Sequence, residues 1–280
     1  MESWNGKKTW ARSTWRHRMT ELSPGASRAR LCCSKIPSSF NPTAKKMASS
    51  RRSRPRMDAN SGVCREPPCP FAVGPQPGVF KTGNRIQIVA NGYPYIAGYD
   101  FKTGKELWRL KSEGDIPVPT PFMAQGLIYV ANAHGGKAPL YAIRPEASGD
   151  ITPVAGSRVS AGLAWSEERN GSYLQTPVVY GEVIYASTSQ GIFKAYDVWT
   201  GRKLYEQRLG DGGSFTSSPI AADGKIYVSN EEGQTFVIKA GPQFALVGTN
   251  ELGEPVLSTP AISDTVLYVR TPGNVLAIAE

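Results

Sequence analysis

Cysteine and histidine are nearly absent from this chain of 280 residues. Only two histidines occur, and all four cysteines fall within the first 69 residues. A structural zinc site needs four Cys or His ligands, and no two pairs have the required spacing. A reactive cysteine needs a defined electropositive setting, which the surrounding sequence does not provide. We therefore predict neither a metal site nor a catalytic site from Cys32, Cys33, Cys64, Cys69, His17 and His134.

Long apolar runs are absent as well. The first 30 residues contain no apolar stretch of the kind that a secretory signal carries after its basic start. No run approaches the roughly 18 apolar residues of a membrane-spanning helix. Gly135 and Gly136 lie in neither the Walker nor the dinucleotide-binding pattern, so they do not indicate a phosphate loop. We expect no membrane span, and the sequence leaves the compartment open.

The positive charge of the chain is confined to its beginning. Residues 1–57 hold 14 Lys and Arg against two acids, a formal charge of +12, whereas the whole chain carries +9. Residues 58–280 therefore carry −3, so the basic isoelectric point belongs to the first segment alone. Composition divides the chain into a basic tail, residues 1–75, and a different kind of sequence over residues 76–280.

Three interpretations of the tail stay open. Its Ser, Pro and Arg content, without apolar periodicity, is typical of a disordered, solvated extension. Runs such as residues 51–56 (RRSRPR) are also found in arms that bind nucleic acid or anionic lipid. A wrongly assigned start codon or a shifted reading frame would give a sequence of similar composition, without strand or helix patterns. We favour the first and third interpretations and do not expect nucleic acid to be the partner.

The rest of the chain is dominated by an internal repeat. Four times a proline is followed eight residues later by a tyrosine, in text such as TPVVYGEVIYA at residues 176–186. Successive prolines are 56, 42 and 41 residues apart. A period near 40 residues indicates one supersecondary unit copied along the chain. The pairs are Pro121 and Tyr129, Pro177 and Tyr185, Pro219 and Tyr227, and Pro260 and Tyr268.

One repeat contains four short strands. In residues 176–213, the apolar run 176–180 is followed by 183–188, 192–197 and 203–209, with Gly at the intervening turns. These runs are rich in β-branched and aromatic residues or alternate apolar with polar. Four strands in about 40 residues is the size of one β-propeller blade.

The same order gives a count of five blades. The first blade has a poorly marked first strand near residues 76–81, and the last, from residue 259, lacks a fourth strand. The second, over residues 120–165, is lengthened by about 15 residues at 133–139 and 145–162. We predict an all-β propeller of about five four-stranded blades, with a disordered basic N-terminal tail. An incomplete ring would expose apolar blade faces.

Two recurring features have structural explanations. The repeated tyrosine is predicted to pack between blades with its hydroxyl near a rim. The text Asp-x-x-Thr-Gly occurs at residues 100–104 and 197–201 and suits a tight turn, because Asp binds backbone N–H groups and Gly accepts positive φ.

The text around these turns resembles the quinoprotein-type propeller repeat. Residues 98–108 (GYDFKTGKELW) and 195–205 (AYDVWTGRKLY) match its pattern Ala-x-Asp-x-x-Thr-Gly-x-x-x-Trp, with Gly98 for Ala and Tyr205 for Trp. The resemblance covers about residues 85–280. The family with this repeat includes pyrroloquinoline quinone (PQQ) dehydrogenases and the outer-membrane assembly lipoprotein of the BamB type. Fold does not fix function in such a family, which includes enzymes and scaffolds.

Three functions are to be compared. The resemblance implies the first two: a non-catalytic binding or scaffold propeller, with loops on one face presented to a protein partner, and a fragment of a PQQ-dependent dehydrogenase. The third, nucleic-acid binding, depends on the basic runs of the tail. The resembling families are mostly periplasmic or exported, although no signal peptide is present in this sequence.

No residues in the sequence assemble into a quinone or calcium site. A PQQ site in this family would need a stacking Trp and an Asp near the ring axis, but Trp108 and Trp165 fall on outer fourth strands. We interpret both as blade-packing residues. The carboxylates are scattered, and no calcium-binding loop is present. They are Asp100, Asp115, Glu167, Glu168, Asp197, Asp211, Glu231 and Glu232.

Overall fold

The computed structural model describes residues 76–133, 137–169 and 172–279, which all belong to one compact unit. The basic tail, the four cysteines, His17 and His134 lie outside the described residues. Within them the only regular secondary structure is β-strand, arranged as five sheets that are antiparallel apart from one short parallel strand, so the all-β prediction is confirmed.

The first two sheets, blades 1 and 2, take up residues 78–167. Each is an antiparallel meander of four strands, and the first gains a fifth, two-residue strand from the connection inside blade 2. The strands are β1 Gly78–Thr82, β2 Arg85–Ala90, β3 Tyr95–Asp100, β4 Glu106–Lys111, β5 Phe122–Ala124, β6 Leu127–Ala131, β7 Leu140–Ile143, β8 Gly149–Asp150 and β9 Leu163–Glu167.

Blades 3, 4 and 5 follow at the expected spacing. Blades 3 and 4 have four strands each, and blade 5 has three. The strands are β10 Val178–Tyr180, β11 Val183–Ser187, β12 Ile192–Asp197, β13 Lys203–Arg208, β14 Ile220–Ala222, β15 Lys225–Ser229, β16 Gln234–Lys239, β17 Leu246–Glu251, β18 Ala261–Ser263, β19 Val266–Arg270 and β20 Val275–Ile278.

The repeated prolines stand just ahead of the innermost strands. Pro177, for example, directly precedes β10, and the same holds for the other three. The run predicted over residues 176–180 thus begins two residues before the observed strand. The position before a strand suits proline, because proline has no N–H to contribute to the ladder.

All four complete blades share one register between their third and fourth strands. Gly98 pairs with Trp108, Ala142 with Trp165, and Ala195 with Tyr205, each followed at once by a β-bulge. In blade 4 the sizes are reversed, with Val237 opposite Gly248. One large and one small residue therefore share each of these sites. A Cβ built on Gly98 would lie 2.2 Å from the indole Nε1 of Trp108, which explains the need for a small residue.

The connection from β7 to β9 crosses to the neighbouring blade. Its strand β8 adds to blade 1 in parallel beside β4. The Arg85 guanidinium donates to the Ala147 carbonyl at 2.8 Å, and the Gln87 amide donates to the Pro145 carbonyl at 2.8 Å. The extra residues of the long repeat thus form a strap, residues 145–152, across the edge of blade 1.

The apolar core consists of three clusters, one at each junction between blades 1 and 2, 2 and 3, and 3 and 4. The blades form an open array rather than a closed ring. Large apolar side chains are exposed toward the blade 5 end, namely Leu246, Val247, Leu257, Ile262, Tyr268 and Val275. In the described part of the chain, no helix is long and apolar enough to cross a membrane.

Candidate functional site

The blade connections lie at two edges of the sheets. In an antiparallel meander, alternate turns lie at the same edge. The turns between second and third strands therefore share one edge with the connections from each blade to the next. We call this edge the loop face, made up of the described residues 91–94, 112–121, 132–133, 137–139, 168–169, 172–177, 188–191, 209–219, 230–233, 252–260 and 271–274. The opposite edge is the turn edge.

A series of hydrogen bonds runs from blade to blade beside the repeated prolines. The Thr120 amide donates to the Thr176 hydroxyl at 3.1 Å, and the Thr176 amide donates to the Ser218 hydroxyl at 2.9 Å. The Ser218 amide in turn donates to the Thr259 hydroxyl at 3.1 Å. Each hydroxyl thus satisfies a backbone donor of the preceding blade. The Ser or Thr before each proline fixes the spacing of successive blades.

A second repeated position closes the turns of the loop face. In each blade, the third residue after the repeated tyrosine position is Asn or Thr. These residues are Asn91, Asn132, Thr188, Asn230 and Thr271. The Asn91 amide joins two blades by donating to the carbonyls of Pro119 at 2.9 Å and Ala131 at 3.1 Å. Asn91, Asn132 and Asn230 are at most 2% exposed. Asn91 and Asn230 bond to backbone and Asn132 donates to the Ser112 hydroxyl at 2.7 Å, so these buried side chains stiffen the loop face.

The repeated tyrosine locks neighbouring blades together at the turn edge. Tyr129 is fully buried, and its hydroxyl donates to the Val198 carbonyl of blade 3 at 3.0 Å. The Trp165 indole donates to the same carbonyl at 3.0 Å. Tyr185 is also fully buried and accepts from the Gly241 amide of blade 4 at 2.7 Å. For Tyr129 and Tyr185 the prediction that the repeated tyrosine packs between blades is confirmed, whereas Tyr268 is 39% exposed.

Burial alters the ionisation of these tyrosines. Desolvation raises the pKa of Tyr129 well above its ordinary value, with a smaller contribution from the charge of Asp197. Burial raises the pKa of Tyr185 in the same way, partly offset by the hydrogen bond with Gly241. Both hydroxyls stay protonated at neutral pH and serve as fixed hydrogen-bonding groups.

The Asp-x-x-Thr-Gly turns have the predicted geometry. Asp197 accepts from the Thr200 amide at 2.9 Å and the Thr200 hydroxyl at 2.8 Å, and Gly201 has φ +68°. Partial burial alone would raise the pKa of Asp197, but the hydrogen bonds from Thr200 and from the Trp199 amide outweigh it and lower the pKa. Asp100 has the same arrangement, and its pKa is lowered chiefly by the Thr103 hydroxyl. Both carboxylates therefore have a structural role, which is to hold the turn.

The loop face carries an acidic cleft between blades 3 and 4. Its volume is about 330 Å³. Ser214 donates its amide to Glu232 at 3.3 Å, and a Cβ built on Gly213 would lie 2.4 Å from a Glu232 oxygen. The backbone therefore packs closely against this carboxylate. The cleft is lined by Asp211, Gly212, Gly213, Glu232, Gln234 and Glu251.

The structure brings together only some of the carboxylates singled out in the sequence. Asp211 and Glu232 meet at the cleft, whereas Asp100 and Asp197 lie at the turn edge. Glu231, beside the cleft, accepts from the Thr216 hydroxyl. Sequence reasoning missed Gln234 and Glu251, because neither stands in a motif. It also missed the two repeated polar positions, which the offsets from proline and tyrosine could have indicated.

The tryptophans do not fit a quinone-stacking site. Trp108 is fully buried and donates its indole N–H to Gln87 at 2.8 Å, and Trp165 is 3% exposed and bonded to Val198. Both rings fill blade junctions, as the sequence analysis predicted. Among the described residues, no group of three or more His, Cys, Asp or Glu is placed to hold a metal ion.

Comparison with known proteins identifies the repeat. The family model described as outer membrane protein assembly factor BamB matches residues 5–280. The match begins well before residue 85, where the resemblance in the repeat text starts. No curated protein sequence matches the chain.

Solved structures share the fold at low identity. BamB from Moraxella catarrhalis is 17% identical, with a TM-score of 0.51, over 69% of this chain and 54% of that one. The computationally designed Ika8 protein is 13% identical, with a TM-score of 0.51, over 71% of this chain and 56% of that one. The chain therefore spans about half the length of these proteins.

Proposed function

Because this chain belongs to the family of outer membrane protein assembly factor BamB, we propose that it is a non-catalytic propeller that binds a protein partner through its loop face. The observation that carries the proposal is the acidic cleft between blades 3 and 4. It lies on the face whose backbone is braced by the blade-to-blade hydrogen bonds and the buried Asn and Thr side chains. A stiff surface loses little conformational entropy on binding.

The chemistry of the cleft favours a cationic segment of the partner. Three carboxylates line it, from Asp211, Glu232 and Glu251. The Arg208 guanidinium lies beside Gly212 at the border of the cleft and donates to the Gln190 carbonyl at 3.1 Å. Carboxylates on a rigid rim attract Lys and Arg side chains and steer their approach.

Site-directed photo-crosslinking tests the proposed face. A photo-reactive residue is placed at Asp211 on the loop face or at Glu251, the end of β17 that meets the loop face, and at Asp223 or Lys102 on the turn edge as controls. We expect one discrete crosslinked partner from both loop-face positions and none from the controls. Equal crosslinking from both edges would contradict the proposal.

Titration with PQQ tests the competing function. The full chain is titrated with PQQ in the presence and absence of calcium and followed by absorbance, after a cooperative melt has shown that it is folded. A non-catalytic propeller gives no saturable change. Saturable, calcium-dependent binding would overturn the non-catalytic assignment and support a quinoprotein.

A further inference from the structure

The two Asp-x-x-Thr-Gly turns carry exposed aromatic side chains. Phe101 lies in the turn of blade 1 and is 42% exposed, and Trp199 lies in the turn of blade 3 and is 50% exposed. Each turn joins the third strand of a complete blade to its fourth, so both lie at the turn edge. Trp is highly buried on average in folded proteins, so a half-exposed Trp at a fixed turn indicates a contact surface.

The backbone of each turn holds its ring in a fixed position. The Trp199 amide donates to the Asp197 carboxylate at 3.1 Å, and the Phe101 amide donates to the Ile86 carbonyl at 3.0 Å. Val198, beside Trp199, is fully buried, and its carbonyl accepts two hydrogen bonds from blade 2. A ring on a fixed backbone loses little conformational entropy when it meets a partner.

Each exposed ring is accompanied by exposed cations. Residues 100–105 and 197–203 each hold two Lys or Arg and one Asp, a formal charge of +1 per turn. Each Asp carboxylate accepts from the Thr of its own turn and is thus directed into the turn. The described residues of the loop face, in contrast, hold seven acids against two cations, a charge of −5. The cations of the two turns are Lys102, Lys105, Arg202 and Lys203, of which Lys203 also bonds Glu206 at 2.6 Å.

This combination of side chains matches the surface of a bilayer that contains anionic lipid. Trp and Phe favour the boundary between headgroups and acyl chains, and Lys and Arg are attracted by negatively charged headgroups. The two turns are the tips of hairpins in blades 1 and 3, on either side of blade 2. Two tips at one edge of the blade array reach a flat surface together.

We propose that the turn edge docks on an anionic bilayer surface, with Phe101 and Trp199 among the headgroups and the neighbouring Lys and Arg side chains on lipid phosphates. The contact is peripheral and requires no membrane-spanning helix. It turns the acidic loop face away from headgroups of the same charge sign. The proposal concerns the opposite edge of the blades and does not depend on the function proposed above.

Other occupants match the turn edge less well. The first segment of the chain, residues 1–57, carries +12 and is repelled by the same cations. A second copy would bring its acidic loop face, but carboxylates do not give two aromatic rings an apolar environment. Single-stranded nucleic acid combines cations with stacked rings, but along a continuous basic groove, whereas Phe101 and Trp199 lie two blades apart.

Photo-crosslinking to lipid tests the contact. The full chain, with a photo-reactive phenylalanine at Phe101, is mixed with vesicles of equal parts phosphatidylcholine and phosphatidylglycerol. The control position is Tyr95, which is also 42% exposed and lies at the other end of β3. Residues 1–57 can bind such vesicles by charge alone, so the criterion is which position reacts with lipid. We expect at least about fivefold more lipid adduct from position 101. Equal yields, or no adduct from position 101, would overturn the proposal.

Charge reversal at the turns tests the role of the cations. Lys102→Glu combined with Arg202→Glu should lower the yield of lipid adduct from position 101 at least about fivefold. Lys111→Glu makes the same change at the end of β4 that meets the loop face, and it should leave the yield unchanged. Trp199→Ser should lower the yield as well, because one of the two rings is lost. If the charge-reversed variant melted cooperatively and reacted with lipid like the unaltered chain, the proposal would be wrong.

Hydrogen exchange separates the lipid surface from the other occupants. Vesicles should slow amide exchange in residues 101–105 and 198–202 and leave residues 188–191 of the loop face unchanged. Slow exchange in the two turns that depends on protein concentration, without vesicles, would assign the edge to a second copy. Slowing by a single-stranded oligonucleotide but not by vesicles would assign it to nucleic acid. Either result would overturn the proposal.

Discussion

Trp165 of blade 2 lies against Gly201 of blade 3. A Cβ built on Gly201 would come within 2.6 Å of the indole ring, so the last residue of the Asp-x-x-Thr-Gly turn forms part of the blade junction. In blade 1 the equivalent Gly104 has nothing within 4 Å. The same turn therefore has a packing role in one blade and only a conformational role in the other.

Gly201→Ala should destabilise the protein more than Gly104→Ala does. Both residues have positive φ, +68° and +70°, which costs an alanine roughly 1–2 kcal/mol. At Gly201 the clash with Trp165 adds about 1–3 kcal/mol of overpacking. Urea denaturation of the two variants measures the difference, with Gly104→Ala as the matched control. Equal losses of unfolding free energy would contradict the packing role.

Tyr129→Phe should lower stability by about 0.5–1.5 kcal/mol, because it removes the buried hydrogen bond to Val198. Tyr268→Phe changes the same repeat position in blade 5, where the side chain is 39% exposed, and should have almost no effect. Thermal unfolding of both variants checks the prediction. An equal effect at Tyr268 would mean that its hydroxyl is held as firmly as that of Tyr129.

Because of the blade-to-blade hydrogen bonds, a substitution in one blade should alter the hydrogen exchange of an amide in the preceding blade. Thr176→Val removes the acceptor of the Thr120 amide, so that amide should exchange with solvent faster. Ser218→Ala should do the same to the Thr176 amide. Site-resolved hydrogen exchange measures both, and each variant is the control for the other. Acceleration at both amides in either variant would indicate general loosening instead.

The lowered pKa of Asp197 predicts an acid-dependent stability. A carboxylate whose pKa is lower in the folded state stabilises that state above the unfolded pKa, about 3.9. This stabilisation is lost as the pH falls through the folded pKa. Asp197→Asn should therefore reduce unfolding free energy more at pH 7 than at pH 2.5. Denaturation at the two pH values checks this.

Thr200→Val supplies the control for the pH prediction. It removes the hydroxyl that donates to Asp197, so the pKa of this carboxyl should rise toward its ordinary value. The carboxyl can be followed directly by NMR titration. An unchanged pKa would assign the shift to the backbone donors instead.

The sequence was sufficient to predict the blades but not all that joins them. Turns with Gly, the alternation in residues 192–197 and the period of the prolines are local signals, and each led to the correct strands. The sequence also led to the correct positions of Trp108 and Trp165 on fourth strands. It correctly indicated that the last blade has three strands in this sequence.

What could not be predicted depends on contacts between distant residues. The strand Gly149–Asp150 has no alternation, and its pairing with Trp108 and Arg109 depends on where a neighbouring blade lies. The hydroxyls of Thr176 and Ser218 look like ordinary turn residues until the blades are stacked. The cleft was also missed, because it combines residues of two connections with residues at the ends of two strands, β16 and β17.

The strap makes the two ends of the blade array unequal in stability, which sets the order in which the blades unfold. Blade 1 is tied to blade 2 by residues 145–152 in addition to the ordinary junction, whereas blade 5 has no such second attachment among the described residues. Under tension or mild denaturant, we expect unravelling to begin at blade 5 and progress inward. Blades 1 and 2 then behave as one cooperative unit and are the last part to unfold.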